Sequence, residues 1–189
     1  MNVIAFAASN SKQSINRLLA SYAASLIDGA KIEVLDINDF EMPIFSDERE
    51  KELGQPEQAQ RFFKKIGEAD AIIISYAEHN GSYTAAYKNL FDWTSRINTR
   101  VYQNKPMLML ATSPGPGGAK NVLTSAVASA PHFGADVRAS ISLPSFYENF
   151  DVETGELRNA QVKREILQGL KLLQTPPAAP ASALRQIAG

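Results

Sequence analysis

The chain has 189 residues, 44% of them apolar and 21% charged, which suits one well-buried core. Lys and Arg total 19 against 20 Asp and Glu, so a formal charge of -1 gives no single-sign field to attract nucleic acid or an anionic membrane surface. There is no cysteine, which excludes disulfides, thiolate catalysis and cysteine metal sites; with His79 and His132 the sole imidazoles, no metal is assigned.

In chain order, short apolar runs alternate with longer segments of helical period. The strands are expected at Val3–Ala7, Ile32–Leu35, Ala71–Ser75, Pro106–Ala111 and Ala135–Ile141. Their shortness and apolarity suit strands buried on both faces. The first run is far shorter than the ~20 residues of a membrane span and has no basic leader, so a soluble cytoplasmic protein away from membranes is expected. The helices are expected at Ile15–Ile27, Pro56–Gly67, Ala85–Arg96, Lys120–Phe133 and Asn159–Leu173, the first with an apolar stripe of Leu18, Leu19, Tyr22 and Leu26. This alternation is that of an α/β protein with a parallel sheet covered by helices on both faces. The segment Thr175–Ala183 is little more than Pro, Ala and Ser, so residues 1–174 read as one domain and 175–189 as a Pro/Ala-rich tail.

In such a sheet, ligands bind beyond the carboxyl ends of the strands, beside the point where strand order reverses. After the first strand, Ala8-Ser9-Asn10-Ser11-Lys12-Gln13-Ser14-Ile15-Asn16-Arg17 runs hydroxyl and amide groups straight into a helix start. Free N–H groups and a partial positive charge there favour an anion such as phosphate. No carboxylate precedes Asp28, while Lys12 and Arg17 lie at the first helical turn, where cations oppose the dipole unless an anion is bound. The plainer reading is that Ser14 caps the helix within a polar turn.

After the third strand comes Ala77-Glu78-His79-Asn80-Gly81-Ser82-Tyr83-Thr84-Ala85-Ala86-Tyr87-Lys88-Asn89-Leu90-Phe91-Asp92-Trp93. This stretch resembles the flavin-binding signature of the NADPH-dependent FMN reductase family, Pro-Glu-Tyr-Asn-Gly-Ser followed by a helix with Leu-Lys-Asn and Asp-Trp. Glu78, Asn80, Gly81, Ser82, Lys88, Asn89, Asp92 and Trp93 stand at the family spacing, and Ala77, His79, Thr84 and Ala85 replace its Pro, Tyr, Pro and Gly. The first loop is similar to the family's Gly-Ser-x-Arg-x-x-Ser-x-Asn through Ser9, Ser14 and Asn16, with Ala8 for Gly and Ser11 for Arg. Lys12, one residue on, carries positive charge as a flexible point without the planar fork of arginine. After the fourth strand, Ala111-Thr112-Ser113-Pro114-Gly115-Pro116-Gly117-Gly118 resembles the family's Ser-x-Gly-x-x-Gly-Gly turn; read without the family it is a rigid strand-to-helix turn.

The resemblance implies a flavodoxin-like three-layer sandwich with strand order 2-1-3-4-5. It implies bound FMN, NADPH or NADH as reductant, and hydride passage by a ping-pong mechanism to a small acceptor: free flavin, quinone, azo compound or metal oxyanion. The FMN phosphate is then expected on Ser9, Ser11, Lys12, Ser14, Ile15 and Asn16. The isoalloxazine is expected against Ala77, Glu78, His79, Asn80, Gly81, Ser82 and Tyr83, with Ser113 and Gly115 approaching from the opposite loop. No acid or base side chain is required, so none is assigned as catalytic. A homodimer or homotetramer is also implied, with the helix of Trp93 packed against a second copy. Read by themselves, Trp93 is core or interface, Lys88 and Asp92 a solvated pair one turn apart, and His132 a partner for a helix carboxyl end. Two alternatives stand: a flavodoxin-type electron carrier, disfavoured by near-neutral charge and the lack of a Thr-rich phosphate loop, and a flavin-less binding subunit, motivated by Ser11 and Ala77.

Overall fold

Parallel strands β1 (Asn2–Ala8), β2 (Lys31–Leu35), β3 (Ala71–Tyr76), β4 (Pro106–Thr112) and β5 (Asp136–Leu143) form one sheet in the order β2-β1-β3-β4-β5 in the computed structural model, which describes residues 1–175. The expected order 2-1-3-4-5 is the observed one, and each expected strand lies within two residues of its place. Of the expected tail, only Thr175 lies among the described residues.

Burial on both faces holds for β1, β3 and β4, whose residues are almost all inaccessible, and this is why their runs are continuously apolar. It does not hold for β2 and β5. They are the edges, and they set Lys31, Glu33 and Asp136 toward water, the usual defence of an unpaired edge. Arg138 is the extra residue where the β4–β5 register shifts; it pairs with Asp136 at 2.7 Å and donates to the Leu172 carbonyl at 3.0 Å.

Alternation along β1 sends Val3 and Ala5 to one face, with α1 (Ile15–Ser25) and, from the carboxyl end of the chain, Val162, Ile166 and Leu170. It sends Ile4, Phe6 and Ala8 to the other, beneath α3 (Glu57–Glu68), α4 (Ala85–Ile97) and α5 (Lys120–Ser129). The buried face of α1 departs from the expected stripe at Leu18: Asn16, Leu19, Ala20, Ala23 and Ala24 are buried, whereas Leu18 is 41% exposed. The small alanine face lets the helix lie close on the sheet, and Tyr22 and Leu26 pack at its flank.

The helix expected over Lys120–Phe133 ends at Ser129 and tightens into a 3-10 turn, Ala130–Phe133, because Pro131 has no N–H to continue the ladder. Between β2 and α3 the chain forms a 3-10 turn, Ile37–Phe40, which buries Ile37 and Phe40, and α2 (Asp47–Leu53), which buries no residue and so has no apolar period to announce it. Two further helices follow β5: α6 (Phe146–Asn149) and α7 (Ala160–Leu173), the latter capped by Asn159. Among the described residues no helix is long and apolar enough to cross a membrane.

Candidate functional site

Register brings Ala8, Tyr76 and Ala111 level at the carboxyl ends of β1, β3 and β4, so the three loops that follow start from one plane. In the first loop, Ser14 caps α1, its Oγ accepting Arg17 N–H at 3.2 Å, and Ser9 Oγ accepts Ser11 N–H at 3.3 Å. Both hydroxyl hydrogens are left for a ligand. The N–H groups of Ile15 and Asn16, in the first turn of α1, have no intrahelical carbonyl to bind. Four donors therefore converge at a helix start, and Lys12 stands exposed beside them.

Asn16 is not the simple phosphate ligand that the motif implies. Its Oδ1 accepts Thr112 N–H at 3.0 Å and the Ser75 hydroxyl at 2.7 Å, and its Nδ2 donates to the Thr112 carbonyl at 3.1 Å. Buried to 2% exposure, this side chain staples α1 to the ends of β3 and β4, leaving one amide hydrogen and the backbone N–H for a ligand. Arg17 is also reassigned: it pairs with Asp36 at 2.9 Å, so the cation at the first turn is already answered. Burial works against ionisation of Asp36, but the backbone and side-chain amides of Asn38, with Arg17, hold its carboxyl below the usual range. Asn38 also donates to the Asn10 carbonyl at 3.2 Å, fixing the loop's outer edge.

The second loop is a hairpin in which Glu78 and His79 pair with Tyr83 and Ser82. Its tip is Asn80-Gly81 with φ 52° and 77°, the two left-handed positions a two-residue turn needs, and those for which Asn and Gly are suited. Asn80, Gly81 and Ser82 are exposed. Thr84 closes the hairpin, capping α4 through Tyr87 N–H and donating to the Ala8 carbonyl at 3.0 Å. The Glu78 carboxylate turns away from the cleft floor to the start of α5. Tyr83 points behind the hairpin, into a cavity of about 240 Å³ also lined by Tyr87, Phe91, Tyr102 and Phe133. There Tyr87 and Tyr102 share a hydrogen bond of 2.7 Å; burial pushes the Tyr87 phenol well up and that of Tyr102 to about 12.

The third loop, Ser113–Ala119, is held from β5 and from the start of α6. Ser142 Oγ donates to the Gly118 carbonyl at 2.7 Å, Ser145 N–H to Gly115 at 2.9 Å and Phe146 N–H to Ser113 at 3.1 Å. Gly118 has φ 60°, and a Cβ there would run into the Ser142 hydroxyl and the Pro144 backbone.

Between the loops lies a pocket of about 240 Å³. Of the expected site residues it is lined by Ser9, Ser14, Ile15, Asn16, Ala77, Glu78, His79 and Ser113. Ser11, Lys12, Asn80, Gly81, Ser82 and Gly115 stand on the rim segments, and Tyr83 belongs to the cavity behind. The lining also includes Gln13, Thr112, Pro114 and Tyr147, which motif spacing did not single out. Gln13 and Thr112 were readable as loop neighbours of the motif residues. Tyr147 belongs to the segment Leu143–Asp151, which the sequence marks as a border of the site or of a subunit contact; it arrives with α6, whose preceding residue Ser145 stands at φ 45°.

Three comparisons bear on this arrangement. The family model described as NADPH-dependent FMN reductase matches residues 1–146. An NADPH:quinone oxidoreductase of Arabidopsis thaliana is 34% identical over 95 residues, 50% of this chain and 47% of that protein. An NADH-dependent flavin reductase subunit of Lactobacillus johnsonii is 33% identical over 123 residues, 63% of this chain and 64% of that one. The chain thus spans about half to two thirds of the length of these relatives. Among solved structures, a flavoenzyme NAD(P)H:(acceptor) oxidoreductase of Paracoccus denitrificans superposes with a TM-score of 0.67 at 24% identity, covering 90% of this chain and 97% of that one, a likeness of fold.

Proposed function

Because the chain belongs to the NADPH-dependent FMN reductase family, we propose that it is an FMN-dependent oxidoreductase, taking a hydride from NADPH or NADH and passing it to a small acceptor by a ping-pong cycle. The acceptor class is free flavin, quinone, azo compound or metal oxyanion. FMN supplies the hydride chemistry; the protein supplies seat, orientation and electrostatics. The observation that carries the reading is the pocket where all three loops meet, with hydroxyl and backbone donors at the start of α1 uncommitted. These donors suit a phosphate dianion. The Ser9 and Ser14 hydroxyls and the Ile15 and Asn16 N–H groups hold it, with Lys12 adding charge that salt screens. The hairpin Glu78–Tyr83 offers backbone groups to a planar ring, His79 and Tyr147 flank it, and Ser113 lines the other wall.

Residues 1–174 act as the FMN-binding domain. A second copy covers the aromatic face of α4 around Phe91, giving a homodimer or homotetramer; the apolar cavity of Tyr83, Tyr87, Phe91 and Phe133 supports this. A chain without cysteine gains nothing from an oxidising compartment, in keeping with work in the cytoplasm.

The test is a visible spectrum of the protein after FMN loading and removal of excess, followed by anaerobic NADPH and NADH. Retained yellow colour bleached by either nucleotide is expected. A chain that retains no flavin overturns the assignment and favours the flavin-less binding subunit, a reading that Ser11 in the arginine position and the pairing of Arg17 with Asp36 would then explain.

A further inference from the structure

One side chain of the hairpin ties it to the helix that follows the third loop. Glu78 Oε2 accepts Val122 N–H at 2.9 Å and Oε1 accepts Asn121 Nδ2 at 3.3 Å. Val122 stands in the first turn of α5, among the N–H groups that no helical carbonyl can serve. The residue before α5 is Ala119, left-handed at φ 56° and with no side-chain oxygen, so the helix lacks a local cap. A carboxylate 44 residues earlier does that work, its charge at the positive end of the helix dipole.

The consequence is mechanical. The turn leading into α5 is itself fixed to β5 through Ser142 on Gly118 and to the start of α6 through Ser145 on Gly115. The hairpin's other side-chain ties lie at its base, Thr84 on Ala8, and behind it, where the Tyr83 hydroxyl stands 3.4 Å from Ser129 Oγ. Among the described residues Glu78 is therefore the hairpin side chain hydrogen-bonded to the start of α5, next to the third loop, while Tyr83 reaches only the far end of that helix. We infer that Glu78 is a positioning residue: by capping α5 it latches the hairpin Glu78–Tyr83 and sets the width of the cleft between the two walls. The latch stands on the contacts alone; its effect on flavin rests on the proposed function.

The test compares the full chain with Glu78→Ala and Glu78→Gln. Hydrogen exchange without ligand is read at Val122, at the paired hairpin residues and, as a control, in β1. Loss of a helix cap of ordinary strength gives about fivefold faster exchange at Val122 and in the hairpin of Glu78→Ala, with β1 unchanged. Glutamine, whose carbonyl oxygen still accepts the Val122 N–H, restores most of the protection. Unchanged exchange in Glu78→Ala, acceleration throughout the sheet, or a glutamine no better than alanine overturns the latch. A second arm titrates FMN by fluorescence quenching and visible circular dichroism. Weaker binding with an altered ring spectrum in Glu78→Ala, rescued by glutamine, is expected; identical binding and spectra overturn the claim that the latch sets the cleft. If the parent chain binds no FMN, the flavin reading fails, while the exchange arm still decides the latch.

Discussion

Asn16 shows how a motif residue can serve the scaffold first. Removing it leaves the N–H and carbonyl of Thr112 and the Ser75 hydroxyl without partners in a site closed to water. Unsatisfied buried groups are costly, so Asn16→Ala is expected to lower stability by about 3 kcal/mol in urea unfolding, with flavin lost as a consequence. Ser14→Ala should behave differently: a cap loss of about 1 kcal/mol, together with roughly tenfold weaker FMN binding in a fluorescence titration, because the hydroxyl donates to the ligand as well as capping the helix. Lys12→Ala should leave stability alone and reduce the salt dependence of FMN affinity, since an exposed cation acts through a screened field. The buried tyrosines set an alkaline limit. Burial raises Tyr76, Tyr87 and Tyr102 in the folded state, the last to about 12, against about 10 in an unfolded chain. Their stabilising contribution is full below about pH 10 and is lost as pH rises above it, for Tyr102 through about 12, because the unfolded chain releases those protons first. Tyrosinate absorbance near 295 nm from these side chains should appear together with unfolding; its appearance in a still-folded protein would contradict their burial.

At the level of elements, the arm between β2 and α3 is held by side chains of α4. Asn89 donates to the Met42 and Pro43 carbonyls at 3.0 and 3.2 Å and accepts Phe45 N–H at 2.8 Å, and Trp93 Nε1 donates to Pro43 at 2.7 Å. The Phe45 ring meets Trp93 edge-on, with centroids 5.1 Å apart. Asn89→Ala should free this arm, at a cost of about 2 kcal/mol, and shift Trp93 emission to the red. Trp93 is the one tryptophan of the chain, so the signal is unambiguous. Among the elements, those with an apolar period were legible: β1, β3 and β4 as unbroken apolar runs, α3 and α7 as amphipathic helices. The 3-10 turn at Ile37–Phe40 and α2 were not, since α2 buries nothing and is tied down by contacts such as Arg96 with Glu50 at 2.9 Å. The buried face of α1 departs from the expected stripe at Leu18, because leucines outrank alanines in an apolar pattern while close packing on a sheet favours the smaller side chains.

For the whole molecule, a ligand held by three loops couples their order to global stability. FMN at a hundredfold excess over its dissociation constant adds about 2.7 kcal/mol, and for a chain of this size that raises the melting temperature by roughly 5–10 °C. A thermal melt with and without FMN checks this; an unshifted midpoint would mean that the loops do not share a ligand. The sequence by itself determined the layer architecture, the strand order through family spacing, and the loops that converge, because alternating apolar periods and the positions of Ser14, Asn80-Gly81 and Gly118 are local properties of the chain. Only the tertiary structure decided what those residues do there. It turned Asn16 inward to Thr112 and Ser75, gave Arg17 to Asp36, sent Glu78 to the start of α5 and brought Tyr147 to the pocket. The partners of the first three lie from 19 to 96 residues away along the chain. Periodicity fixes which side of an element faces the core, but which buried donor meets which acceptor is settled only when the strands are in register.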